Sequence, residues 1–454
     1  MTSIFAALIT VATIGLTLIQ SILVIGYRRF LLDRKLDSRE PMNAAVDSSL
    51  PKAAVILCLR GNDESLAECL TGIIGQDYPS YEIHTVFDSH DDPAVATVRD
   101  FFADRETLVH MHFFEPLPNC SYKNAAICHV VNQLDPTIEA IALCDADAII
   151  DQNWLHDLIT GLKDPEVGAT TGNRWFSPLE PLAGSLFRKY WNSAAIVQMQ
   201  AYNIAWGGSL AIRRKVIDEC NLLEKWSQAF CEDTMLSRIL SSHGYRTRRL
   251  PQLVVENHES TSVRDSLHWI TRQLLTVRLH HPDWILVLAH GVFSAIATWI
   301  APIATILFLL LGNFEAARAT GVAFFVYQIV NFLLLWVIEF NNNAVLRDRE
   351  SFNRIEPASI DRGALLDHLK AVALTQILYP IAVVKAALAT DTSWRGVRYD
   401  FGDGQIRVKE VQATQAGTRQ NGIRTVKQTE PPQSPPPSPI RSLEENGAES
   451  NHRD

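Results

Sequence analysis

Apolar positions in this chain fall into long uninterrupted stretches and short runs. From Ser3 to Gly26 no charge breaks "SIFAALITVATIGLTLIQSILVIG", and about 20 such residues, each rising about 1.5 Å, cross the roughly 30 Å hydrocarbon layer of a bilayer. "ILVLAHGVFSAIATWIAPIATILFLLLG" (Ile285 to Gly312) and "GVAFFVYQIVNFLLLWVIEF" (Gly321 to Phe340) repeat the pattern on either side of a short break around "NFEAARAT". They predict a helical hairpin in the membrane. A fourth stretch, "LLDHLKAVALTQILYPIAVVKAALA", is interrupted by Asp367, His368, Lys370, Pro380 and Lys385. It either spans the bilayer or lies re-entrant or interfacial, and the two readings put the C-terminus on opposite sides.

Between Pro51 and His258 the pattern shortens. "AAVILCL" (Ala53 to Leu59), "YEIHTVFDS" and "IEAIALCDAD" read as strands, with "SLAECLTGIIGQ" and "AICHVVNQL" at helical spacing between them. Strands alternating with helices predict an α/β fold with a mostly parallel sheet and crossover helices. In such sheets ligands gather at the carboxyl ends of strands, which is where "FDSHDD" and "CDAD" stand. The expected organisation is an anchor over 1–27, a sheet domain over 51–258 and an amphipathic interfacial segment over 259–284. Transmembrane helices over 285–390, a short segment over 391–410 and a disordered Pro/Ser/Gln-rich tail over 411–454 complete it.

A net charge of -9 argues against nucleic-acid binding, which calls for a basic surplus. Arg28, Arg29, Arg34 and Lys35 follow the first span, and Arg347, Arg349, Arg354 and Arg362 follow the hairpin. The positive-inside rule therefore puts the sheet domain in the cytoplasm. A cleaved signal peptide would need a basic leading region, a shorter apolar core and a small-residue cleavage site, and the N-terminal stretch has none of these. The seven cysteines show no CxxC or Cys/His spacing, so no zinc site is expected and a reducing compartment fits.

No glycine-rich phosphate cradle follows the first strand. Carboxylates and a metal would have to do that work. Asp145 and Asp147 share one side of an extended chain, and two hard oxygen ligands suit Mg²⁺ or Mn²⁺ bridging a diphosphate. The plainer reading is a strand-ending turn, where Asp is common. Asp88, Asp91 and Asp92 follow the second strand. Glu232 and Asp233 in "FCEDTMLSRIL" open a predicted helix, where acids also serve as caps.

The succession "GQDYPSYEIHTVFDSHDDPA", "YKNAAI", "LCDADAII", "WGGSLAIRRKVI", "CEDTMLSRIL" and "SWRGVRYDFGDG" resembles a family 2 glycosyltransferase. More narrowly, it is similar to the ceramide glucosyltransferase group and its bacterial membrane-bound relatives. The resemblance implies a GT-A, Rossmann-like domain between membrane helices. It implies that Asp88 contacts the uracil or ribose of a nucleotide sugar, with Asp91 and Asp92 in the adjoining motif. Lys123 and Asn124 would line the nucleotide site beside Asp145, and Asp145 with Asp147 would hold the metal. Gly207, Gly208 and Ser209 would underlie the acceptor, and Asp233 would be the catalytic base with Glu232 beside it.

The family's (Arg/Gln)-x-x-Arg-Trp motif departs here. In "TRQLLTVRLHHPDW" Arg272 and Gln273 remain, but Leu275 and Thr276 stand where Arg and Trp are expected. Arg278, one turn on, is the candidate replacement cation. The reading that follows is inverting transfer of a hexose, glucose foremost, from a UDP-sugar to a membrane lipid of ceramide, diacylglycerol or hopanoid type. A polysaccharide synthase and a non-catalytic membrane scaffold are the alternatives.

Overall fold

The computed structural model describes residues 2–37, 50–103, 108–349 and 362–412. Helix α1 (Thr2–Asp37) runs past the expected end of the anchor at residue 27, since no Gly or Pro breaks the basic stretch that follows it. The sheet domain then alternates β1 (Ala53–Leu59), α2 (Leu66–Ile74), β2 (Tyr81–Phe87), α3 (Pro93–Phe101), β3 (Val109–Phe113), α4 (Tyr122–Gln133) and β4 (Ala140–Cys144). It continues through α5 (Trp154–Thr160), β5 (Val167–Phe176), α6 (Ala183–Ala201), β6 (Ser209–Arg213), α7 (Arg214–Glu219), α8 (Leu222–Trp226), α9 (Leu236–Ser242) and β7 (Arg246–Asn257).

The seven strands lie in the order β3-β2-β1-β4-β6-β5-β7. All neighbours pair parallel except β6, which runs against both β4 and β5. The mostly parallel sheet expected from the sequence is therefore present. Strand β1 is apolar throughout because both its faces are covered. Ala53, Val55, Leu57 and Leu59 enter one core layer, while Ala54 and Ile56 enter the other. From β1 the chain builds outward to β2 and β3, then returns to place β4 on the opposite side of β1. That reversal opens a crevice at the carboxyl ends of β1 and β4, the usual ligand position in an open α/β sheet.

Beyond β7 come α10 (Val263–His280), α11 (Trp284–Ala295), a π-helical turn at Ile296–Ile300, α12 (Ala301–Leu310), α13 (Phe314–Asp348) and α14 (Arg362–Leu388). Four helical stretches, Thr2–Asp33, Trp284–Leu310, Phe314–Asp348 and Leu365–Leu388, are long and apolar enough to cross a membrane. Leu8, Ile303, Leu310, Phe325 and Trp336 stand exposed on the first three, a surface suited to lipid rather than water. The predicted hairpin is α11–α12 against α13. Ala301, Ala304, Ala316 and Ala317 let it pack closely on Ala6 and Ile9 of α1, as small residues do between membrane helices.

Helix α14 packs on neighbouring helices near both of its ends. Near its start Ala371 and Val372 pack on Leu186 and Tyr190 of α6. Near its end Ala382, Val383 and Ala386 pack with Ile270 and Leu274 of α10. A small antiparallel sheet, β8 (Asp391–Trp394), β9 (Val397–Asp400) and β10 (Arg407–Val411), then folds back on the sheet domain. The two ends of α14 thus lie against α6 and α10, with Leu335 of α13 and Val287 of α11 in the same clusters. Arg354 and the expected disordered tail beyond Gln412 lie outside the described residues.

Arg349 joins the end of α13 to the sheet domain. Its guanidinium pairs with Asp151 and, at 2.8 Å, with Asp157, and it donates to the Gln252 carbonyl at 2.9 Å. Arg349→Ala leaves two largely buried carboxylates without this cation, a loss of about 3–5 kcal/mol. Thermal unfolding in detergent is expected to show a clearly lowered midpoint, and Arg349→Lys to recover only part of it because a single ammonium lacks the guanidinium fork.

Candidate functional site

The crevice leads into a cavity of about 470 Å³. One wall is the row of acids after the strands: Asp88 after β2, Asp145 and Asp147 after β4, and Glu232 and Asp233 before α9. Glu232 and Asp233 sit in the turn leading to α9 rather than in its first turn, so they do not cap it. Asp145 and Asp147 also lie in a turn, closed by the Ala148 N–H on the Asp145 carbonyl at 3.1 Å. The strand-ending turn and the candidate metal-holding pair are therefore the same object.

Lys123, in the first turn of α4, holds this wall together. Its ammonium is 2.7 Å from Asp145 Oδ1 and 2.8 Å from Glu232 Oε1, and Glu232 is only 2% exposed. Burial works against the charge on Lys123, but Asp145, Glu232 and Asp233 outweigh it and hold the ammonium protonated well above its usual range. Burial also opposes ionisation of Asp145, and Lys123 overrides it, so that carboxyl lies below its ordinary value. Asp147 has no such partner among the described residues. Burial and the neighbouring Asp145 push its carboxyl up to about 6.

Two glycines make the approach of these acids possible. A Cβ on Gly207 would overlap the Glu232 carboxylate, and one on Gly208 would overlap Asp145 Oδ2 and the Trp206 ring. Gly207 also donates its N–H to Asp233 Oδ2 at 2.8 Å, while Thr234 donates its hydroxyl to Oδ1 at 3.0 Å. The Asp233 carboxylate is fixed in orientation at the cavity wall. Asp88 pairs with Arg60 through one oxygen, and its buried Oδ1 has no hydrogen-bond partner among the described residues.

Other expected residues serve the frame rather than the cavity. Asp92 caps α3 by accepting from the Ala94 N–H at 2.9 Å and also receives the Gly61 N–H. Asp91 is exposed and lies outside the cavity wall. Asn124 spends its amide on the carbonyls of Trp226 and Ala229, both at 3.1 Å. Ser209 accepts from Trp154 Nε1 at 2.9 Å. Arg278 corrects a further expectation, because it points away from the cavity and donates to the carbonyls of Ala386, Ala387 and Ala389, each at 2.7 Å. It secures the end of α14 instead of replacing a missing cation.

The cations come from elsewhere. Arg272 and Gln273 of α10 do line the cavity, joined by Arg174 of β5, Trp269 of α10, and Trp394 and Arg395 from the C-terminal sheet. Arg174 lies over the Trp269 ring and Arg272 over the Trp394 ring, each 4.5 Å from the centroid, a cation–π geometry. Trp269 thus supplies the aromatic sought at Thr276, nearly two helical turns earlier. Arg395 is clamped by Asp63 through two 2.7 Å hydrogen bonds. Burial lowers Arg174 to about 10 and Arg272 to about 9, with neighbouring arginines adding to the strain on both. The cationic wall is short of negative charge.

Lys123→Met leaves Asp145 and Glu232 without their shared cation. The expected cost is about 3–5 kcal/mol, read as a lowered unfolding midpoint. The deficit against wild type should shrink as pH falls through the carboxylate range, since a protonated acid needs no counter-ion. A pH-independent deficit would show that the loss is one of packing.

Comparison with known proteins follows this geometry. The sequence pattern of glycosyl transferase family 21 matches residues 8–407. Ceramide glucosyltransferase 3 of Caenorhabditis elegans is 22% identical over 262 residues, 55% of this chain and 54% of that protein. An N-acetylglucosaminyltransferase of Rhizobium meliloti (strain 1021) is 26% identical over 282 residues, 57% of this chain and 62% of that protein. The chain spans about half the length of the ceramide glucosyltransferases it matches. Among solved structures, a mannosyltransferase from Pyrobaculum calidifontis, in complex with GDP-Man and Mn²⁺, overlays with a TM-score of 0.48 at 21% identity. That overlay covers 77% of this chain and 100% of that one. The chain belongs to glycosyl transferase family 21, and its sheet domain stands among helices fit to cross a membrane.

Proposed function

We propose that this enzyme transfers a hexose, glucose foremost, from a UDP-sugar to the hydroxyl of a membrane lipid with inversion at the anomeric carbon. The observation that carries the reading is the composition of one cavity. Its acids and arginines face apolar side chains from α6, α10 and α11, including Trp191, Leu274 and Val287, and α11 begins one of the candidate spans. A charged donor and a lipid headgroup would meet there.

Each residue has a role under this reading. The unpartnered Oδ1 of Asp88 accepts from an N–H or O–H of the nucleoside. Arg174, Arg272 and Arg395 balance the diphosphate as negative charge builds on it, and Arg395 is held ready by Asp63. Asp145 and Asp147 are a hard-oxygen pair suited to Mg²⁺ or Mn²⁺, and Asp147 has no competing cation in contact. When bound, such an ion supplies Lewis-acid stabilisation of the leaving group. Asp233, fixed by Gly207 and Thr234, takes the proton of the acceptor hydroxyl as the new bond forms. With Asp233 as the one base and no carboxylate assigned as a nucleophile, a single displacement inverts the centre, and an α-linked donor yields a β-glycoside. Glu232 acts through Lys123 as a positioning residue.

Membranes carrying the chain and labelled UDP-glucose are expected to yield a labelled lipid, and Asp233→Asn to abolish it while UDP binding is retained. Absence of labelled lipid with the wild type, or equal labelling by Asp233→Asn, overturns the reading. Gly208→Ala should displace Asp145 and lower turnover by about 100-fold, assayed with the same labelled donor, while the protein remains folded by circular dichroism.

A further inference from the structure

On the far side of the sheet domain, away from the cavity, an edge of the sheet gathers side chains that transfer of a sugar does not use. Glu82 and His84 alternate along β2, and His110 and His112 alternate along β3 beside them. Side chains two apart share one face of a strand, so all four meet on the same surface. Glu82 Oε2 lies 3.5 Å from His84 Nε2 and 3.7 Å from His110 Nε2. One ligand atom from each of these three residues falls within 4.8 Å of the others. Ligands of a tetrahedral ion with bonds of about 2.0–2.1 Å stand about 3.3 Å apart, so the side chains need only small movements to close on one.

The hydrogen-bond directions prepare the lone pairs. His84 Nδ1 and His112 Nε2 lie 3.0 Å apart and share one proton. With that proton on His84 Nδ1, the bare Nε2 of His84 faces Glu82 and His110. That Nε2 is buried without a hydrogen-bond partner among the described residues, and His84 is only 5% exposed. A second hydrogen bond that fixes the tautomer of a ligating histidine is the usual support of a metal site. Lys52 holds the other oxygen of Glu82 at 2.6 Å and orients the carboxylate. His110, half-exposed, leaves an open way in from solvent.

We propose that Glu82, His84 and His110 form a second metal site, separate from Asp145 and Asp147, that takes a borderline divalent ion of the Zn²⁺ class and clips the edge strand β3 to β2. Two imidazoles and one carboxylate select such an ion over Mg²⁺ or Ca²⁺, which prefer all-oxygen shells. The fourth position is open to water. Cysteine spacing gave no hint of this site, because its ligands are brought together across two strands.

The test uses the full chain in detergent, stripped with chelator and then kept in millimolar Mg²⁺ so that the acidic cavity is not available to the probe. Micromolar Zn²⁺ is added, free metal is removed by gel filtration, and bound zinc is measured by mass spectrometry together with the unfolding midpoint. Wild type is expected to retain zinc in a one-to-one ratio and to melt higher with zinc than without. His110→Ala and Glu82→Gln, both at partly exposed positions, are expected to lower zinc affinity by at least tenfold and to lose the zinc-dependent rise. Zinc retained equally by wild type and both variants, or not retained by wild type, overturns the proposal. Should either variant fail to fold, His112→Phe is the second variant. It removes the hydrogen-bond partner of His84 Nδ1 and no ligand, is expected to weaken zinc binding by about 10–100-fold, and overturns the proposal if its affinity is unchanged.

Discussion

A buried carboxylate must be paired or pushed out of its charged state, and at this site one ammonium meets that demand for several acids at once. Lys123 reaches Asp145 after β4 and Glu232 before α9. These acids come from segments far apart in sequence, so the lysine fastens the sheet's carboxyl edge to the loop that carries Asp233. Replacing such a buried pair with apolar groups can cost little, whereas removing one partner costs much. Gly207 and Gly208 follow from the same constraint, since the acids crowd against backbone that has no room for a side chain.

Opposite this wall the charge balance reverses. Arg174 and Arg272 meet fewer carboxylates than they could use, and aromatic faces from Trp269 and Trp394 take up part of the deficit, while Arg395 is paired with Asp63. Under the proposed function, the acid-rich wall and the cation-rich wall across this cavity form a socket for a ligand carrying both a diphosphate and a neutral sugar. Desolvation strengthens each interaction inside it. The apolar remainder of the lining, from helices that continue toward the candidate spans, gives the socket a side open to a different kind of molecule.

Much of the fold was legible in the sequence because burial on both faces leaves a plain mark. Strands β1, β2 and β4 read directly as apolar runs, and three of the four long helices as unbroken ones. Strand β3 did not, because "VHMHF" carries the polar half of an edge. Of the candidate residues, Asp88, Lys123, Asp145, Asp147, Glu232, Asp233, Arg272 and Gln273 line the cavity. Asp92, Asn124 and Ser209 turned inward to satisfy backbone or ring N–H and C=O groups instead, a choice that spacing alone does not reveal. Arg174 and Trp269 carried no signal, since their meeting depends on how α10 crosses the end of β5. Arg395 lay within "SWRGVRY", a stretch singled out without a role. The positive φ of 50° at Arg395, followed by Gly396 at 74°, turns it toward the cavity.

The return of β8–β10 onto the sheet domain has a consequence for how the protein is made. Cavity walls supplied by Cys58 through Asp233 are synthesised early, before any of the hairpin has entered the membrane. Trp394, Arg395 and Tyr399 come last, after every long helix. A growing chain can therefore insert its helices with the socket still open on one side. The final wall arrives only when the ribosome has released the residues beyond Leu388, so the site is completed after every long helix has been made.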